Sequence, residues 1–170
     1  NDLLLAALAR ALAGTFDNSV NHITLEGHGR EAISAQLDVS QTVGWFTSMY
    51  PVRLQNSDSI TQTIISTKEM LRAVPNKGVG FGAILPEQLN QLPQISFNYL
   101  GQFGDVDDSS NEKADNENIP DWQLISADER NPLGDTMSME NELDLALIIN
   151  GGVQNGQLQF SVVSRLPQHM

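Results

Sequence analysis

The 170-residue chain contains no cysteine. That excludes disulfides, thiolate metal sites and a cysteine nucleophile, and it fits a reducing cytoplasm. Basic residues are scarce: Lys and Arg total 9 against 21 Asp and Glu, for a net charge of -12. Phosphate recognition needs clustered Lys and Arg. Here they are scattered, so no nucleic-acid partner is expected. Long apolar runs are missing as well. None approaches the roughly 20 residues that cross a bilayer. The chain opens on an amphipathic segment without a basic leader, so neither a membrane nor a secretory signal is expected. What remains is 40% hydrophobic, enough for one domain with a real core.

Part of the negative charge is local. Asp105, Asp107, Asp108, Glu112, Asp115, Glu117 and Asp121 share one segment with Lys113 as its only base. So little apolar content predicts a flexible, solvated loop at about 104–118. A calcium loop is rejected. Asp105, Asp107 and Ser109 have ligand-like spacing, but Ser110 replaces the required glycine and Asn116 the bidentate glutamate. No metal site is expected.

The rest of the chain mixes helices and strands. Asp2 caps a helix over 2–12, with Leu4, Leu5, Leu8 and Leu12 on one face and Gly14 as its stop. Strands are predicted over 20–25, over 46–54 with Pro51 marking an edge or bulge, over 95–100 and over 122–126. Asp58 or Ser59 caps a second helix to Ala73, with Ile60, Ile64, Ile65, Thr67, Met70 and Leu71 as its buried stripe. Residues 143–150 and 157–164 alternate and form a hairpin around the 151–156 turn. Trp45 and Phe46 are assigned to the core. This pattern is an α/β (α+β) two-layer sandwich.

The densest polar chemistry is Glu26-Gly27-His28-Gly29-Arg30-Glu31, directly after the first strand. Charges favour a strand end over a strand centre, because a buried charge must be paired. Read as residues alone, Glu26 is either a site carboxylate or an ordinary strand-end partner of Arg30. Gly78, Gly80 and Gly82 lack the lysine-serine ending of a phosphate loop, so a nucleotide site is rejected.

Glu26-Gly-His-Gly-Arg-Glu31 resembles a signature of the epimerization domains of nonribosomal peptide synthetases. Thr42-Val-Gly-Trp-Phe-Thr-Ser-Met-Tyr-Pro51, Pro75-Asn-Lys-Gly-Val-Gly-Phe-Gly82 and Phe97-Asn-Tyr-Leu-Gly-Gln102 are similar to three more of that family's motifs, in the same order. The opening Asn1-Asp-Leu-Leu-Leu-Ala-Ala-Leu8 resembles a fifth, earlier one. The resemblance covers the family's C-terminal half only. A paired-histidine motif (His-His, three residues, Asp-Gly) lies upstream of anything here.

The resemblance implies the C-terminal lobe of a chloramphenicol-acetyltransferase-like fold, occupying residues 1–170 and cut at both ends. In that family two lobes pack as a V around a tunnel that holds the active site. It also implies inversion of the Cα of an aminoacyl or peptidyl thioester by two acid/base groups, one on each face. Glu26 matches the family's proposed acid/base. The other catalyst is a histidine of the upstream motif, and none of His22, His28 and His169 matches it. The resemblance favours Tyr99 near the reacting centre, against the alternative of a packed ring with a satisfied hydroxyl. His28, Arg30 and Asn98 are the substrate-binding candidates, with His28 alternatively shaping the turn. No cofactor is expected on the chain itself. The substrate would arrive on the 4'-phosphopantetheine of a peptidyl carrier domain. The implied partners are that carrier and the N-terminal lobe of the same domain, in the cytoplasm. Alone, the chain is expected to be inactive and prone to homo-oligomer formation. Two other functions stay open: a condensation-type acyl-transfer lobe, and a non-catalytic scaffold or interaction remnant.

Overall fold

The computed structural model describes residues 1–103, 140–141, 144–154 and 156–166. The acidic segment at 104–118, the strand expected over 122–126 and His169 lie outside the described residues.

The chain begins with α1, Asp2–Phe16. Leucine and alanine dominate it, both strong helix formers with little side-chain entropy to lose. Asn1, not Asp2, holds the N-cap position, and its side chain makes no capping bond. Gly14 does not stop the helix. It lies inside, and the chain turns out at Asp17 in a left-handed conformation with φ 50°. The buried face is Leu5, Ala6, Ala9 and Leu12.

Two strands follow, β1 at Val20–Gly27 and β2 at Ser48–Gln55. They pair antiparallel, Ile23 opposite Val52 and Leu25 opposite Tyr50. Then comes α2, Ile60–Ala73, whose Ser59 hydroxyl caps the Gln62 N–H. Its buried stripe differs from the expected one. Thr63 and Thr67 are buried and Met70 and Leu71 partly so, whereas Ile60 and Ile65 are exposed. The register is set by Thr63, whose hydroxyl accepts from the Ser57 N–H at 3.0 Å and so docks the first turn against the preceding loop.

A 3₁₀ turn at Pro75–Gly78 leads to α3, Phe81–Ile84, and a second 3₁₀ turn spans Pro86–Gln91. The last strands are β3 at Ile95–Phe103, β4 at Leu147–Gln154 and β5 at Gln157–Ser164. β4 therefore runs through Gly151 and Gly152, which the sequence places in the turn. β4 ends at Gln154 and β5 begins at Gln157.

The strands form one sheet in the order β2-β1-β3-β4-β5. β3 is parallel to both β1 and β4, while the two outer pairs are antiparallel. β2 is an edge, which is why Pro51 is tolerated in it. One sheet face packs on α1 and carries Ile23, Leu25, Tyr50, Val52, Leu54, Phe97 and Ile149 against Leu5, Ala9 and Leu12. Burying each such side chain contributes on the order of 1.5–3 kcal/mol before entropy is set against it. Helices cover the β1–β2 half of this face. Every residue of β5 is exposed. No described helix is long and apolar enough to cross a membrane.

Trp45 is not in the core: it is 90% exposed, and Val43 is 99% exposed. Both belong to the connection between β1 and β2, which leaves the sheet at Gly27 and rejoins it at Ser48. Phe46 is half-buried.

Candidate active site

Strand parity determines which functional side chains meet. Thr24↔Ser96 and Leu25↔Phe97 fix the parallel register of β1 and β3. One step further, Glu26 lies level with Asn98. Leu25 and Phe97 face the core, so Glu26 and Asn98 project from the opposite face. There they bond: Asn98 Nδ2 donates to Glu26 Oε2 at 3.0 Å. Below them Thr24 and Ser96 are buried, and the Thr24 hydroxyl donates to Pro93 O at 2.9 Å. This floor is closed to water, and burial pushes the Glu26 carboxyl above the usual carboxylate range. The Asn98 N–H works the other way by favouring the ionised form, and burial prevails.

Tyr99 does not join Glu26. It shares the parity of Phe97, and its ring packs partly buried against the core. The alternative of a packed strand tyrosine is the one its position fits. Arg30 does not pair with Glu26 either. Its Nη1 donates to Val39 O at 2.5 Å and its Nη2 to Gly44 O at 3.1 Å. The guanidinium lies 4.2 Å from the centre of the Phe46 ring, a cation–π distance. Arg30 thus closes the β1–β2 connection on itself. Gly29 makes this possible: at φ 67° it passes so near Phe46 O that an added Cβ would lie 1.6 Å from it.

His28 shapes the same turn. Its Nδ1 accepts the Arg30 N–H at 3.0 Å. The proton of the neutral ring then sits on Nε2, which faces Glu31 Oε1 at 3.0 Å. The other Glu31 oxygen, Oε2, holds Lys77 Nζ at 2.9 Å. This link joins the turn after β1 to the Pro75–Gly78 turn. That second turn is strained. Asn76 and Lys77 have φ 44° and 50°, and Gly78 has φ 80°. Gly78 lies flat on the Tyr50 ring, where an added Cβ would come within 2.1 Å. Burial, with the Glu31 charge adding to it against Lys77, raises the Tyr50 phenol above its ordinary range.

Sequence reasoning missed Glu31, Lys77 and Tyr50 as one unit. The signal was present, since all three lie in the motif runs that carry the family resemblance. What the sequence does not show is that those runs converge. An apolar cleft of about 470 Å³ between β2, α2 and α3, lined by Tyr50, Val52, Met70, Val74, Phe81 and Ile84 among others, does not include Glu26. Among the described residues no group of His, Asp and Glu is arranged to hold a metal.

Comparison with known proteins agrees with this architecture. The condensation-domain family model matches residues 1–162. The epimerization domain from the third module of tyrocidine synthetase B is 37% identical, with a TM-score of 0.73 over 98% of this chain and 36% of that one. Surfactin synthase subunit 1 of Bacillus subtilis is 38% identical over 95% of this chain and 4% of its own length. The condensation domain of the monacolin K polyketide synthase shares the fold alone, at 18% identity and a TM-score of 0.55 over 96% of this chain and 35% of that one. The chain thus spans a small part of its curated relative and about a third of each solved domain. The five-stranded mixed sheet is the chloramphenicol-acetyltransferase-like fold of these domains, and the chain belongs to the condensation-domain family, the condensation and epimerization superfamily of nonribosomal peptide synthetases.

Proposed function

We propose that the chain supplies one lobe of an epimerization domain, and that Glu26 is one of its two acid/base groups. The carrying observation is Glu26 itself: a carboxylate at a strand end, over a buried floor, held by Asn98 and with a raised pKa. A raised pKa brings proton affinity toward neutrality, where a carboxylate can both take and return a proton. The 37% identity to an epimerization domain along nearly the whole chain supports the same reading.

The reaction is written for an aminoacyl or peptidyl thioester on the phosphopantetheine of a carrier domain. A base takes the Cα proton, and the electron pair of the broken C–H bond moves into the thioester carbonyl to give an enolate. An acid on the opposite face returns a proton to Cα as the pair moves back. Nothing is consumed, and only configuration changes. Glu26 serves one face. The other face needs a group outside this chain, which the family resemblance assigns to the upstream histidine motif. Asn98 is a positioning residue: its N–H fixes which carboxylate oxygen is free. Tyr99, Arg30 and His28 are given no contact with substrate, because packing and the turn already engage them.

Condensation-type acyl transfer is the second reading, favoured by the family model that matches residues 1–162. One experiment separates them. A domain completed with the flanking lobe of a relative is given an L-aminoacyl carrier in deuterated water, with and without a second loaded carrier. Deuterium at Cα together with D-configured product supports epimerization. Amide formation without Cα exchange supports condensation.

A further inference from the structure

The row that starts at Glu26 continues across the sheet. Asn98 pairs with Asn150 in the β3–β4 register, and Asn150 with Ser161 in the β4–β5 register. Register partners project to the same face. Glu26, Asn98, Asn150 and Ser161 therefore stand side by side on the face away from the core. Neighbouring strands are ~4.8 Å apart, which sets Asn150 roughly 10 Å from Glu26, strand to strand. Asn98 gives its N–H to Glu26. The half-buried Asn150 carboxamide has no hydrogen-bond partner among the described residues. It opens on a groove of about 270 Å³ lined on this face by Leu100, Asn150, Gln159 and Ser161.

Among the described residues no charged side chain lines the groove. An ionic group entering it would lose water without gaining a counter-ion, and a purely apolar one would leave Asn150 unpaired. The group that fits is neutral and carries both a donor and an acceptor. A secondary amide is such a group, since its N–H and C=O match a carboxamide in reverse.

We propose that Asn150 binds a secondary amide of the substrate and so determines specificity, holding the amide in this groove while Glu26 acts on a carbon nearer β1. The proposal rests on the reading of Glu26 as acid/base. The amide has two possible sources: a peptide bond of a peptidyl substrate, or an amide of the pantetheine arm.

The test uses the completed domain and follows Cα-proton exchange for Asn150→Ala, for the shape-keeping Asn150→Asp and for Glu26→Gln. Three substrates are compared: a peptidyl thioester on the carrier, an aminoacyl thioester on the carrier, and a peptidyl thioester of a plain alkyl thiol lacking the arm amides. The expected result is a KM raised about tenfold by both Asn150 variants, the scale of one or two net hydrogen bonds, with kcat nearly unchanged. If the rise is absent only with the aminoacyl substrate, the amide is the peptide's. If it is absent only with the alkyl thioester, the amide is the arm's. Unchanged KM for all three substrates, in a domain that Glu26→Gln silences, overturns the Asn150 inference and leaves Glu26 in place. Full activity of Glu26→Gln overturns the acid/base reading instead, while a raised KM for Asn150→Ala still reports amide binding.

Discussion

Glu26 is the acid/base group of the proposed function, and its environment makes a stability prediction with a definite sign. Its folded pKa is raised by burial, so the folded state binds this proton more readily than the unfolded one. The stability tied to that proton is fully present below the unfolded carboxyl pKa. It is lost as pH rises through the folded pKa. Glu26→Gln keeps an acceptor for Asn98 and abolishes the ionisation. Its melting temperature should exceed that of the parent chain at pH 7–8, and the difference should fade in acid. Equal melting temperatures across the range would mean the carboxylate suffers no burial cost. Asn98→Ala removes the N–H that favours the ionised form. In a completed domain the rising limb of the pH–rate profile should therefore move to higher pH, and an unmoved limb would contradict the positioning role. Glu26 was legible in the sequence, because a carboxylate that closes an apolar strand is costly unless it is paired or put to use. For Tyr99 the sequence left two readings open, and its position fits the packed one: Ile95, Phe97 and Tyr99 share one parity, and Phe97 belongs to the core. Strand parity alone keeps Tyr99 off the face of Glu26.

The connection between β1 and β2 is held by Arg30 more than by packing, since Val43 and Trp45 stand exposed. Arg30→Lys keeps the charge but cannot reach both Val39 O and Gly44 O while covering Phe46. It should speed hydrogen exchange and proteolysis within residues 31–47 while shifting global melting by only a few degrees. Unchanged exchange there would remove the clamp from the account. The Pro75–Gly78 turn makes a sharper demand. Gly78→Ala meets both a left-handed φ and the Tyr50 ring, and should cost at least the roughly 1–3 kcal/mol typical of such strain, read by denaturant unfolding. The sequence marks these turns by their glycines but does not say what they touch. It also misplaced the ends of α1 and the stripe of α2. A tolerated Gly14 and a threonine-centred docking through Thr63 look like a stop and a polar face until the neighbouring elements are known.

Among the described residues, α1 and α2 cover the β1–β2 half of the sheet, while the edge strand β5 exposes Leu158, Phe160 and Val162. Unpaired edges and apolar faces invite pairing between chains. The 170-residue chain should self-associate at micromolar concentration in sedimentation experiments. A monomer that binds no apolar dye would contradict the single-lobe reading. The mixed α/β class and most strands were legible, because alternation and turn residues are local properties. The strand order was not, since nothing local places β3 between β1 and β4. That order brings Asn98 to Glu26, and with it a site assembled from positions 26 and 98 of the chain. If that site inverts Cα, a completed domain should exchange the Cα proton of a carrier-bound thioester for deuterium and deliver the D-epimer. Glu26→Gln in the same domain, folded to the same extent, should slow that inversion by at least about 10²-fold. Near-normal inversion by a folded Glu26→Gln domain would return Glu26 to a structural carboxylate and overturn the account.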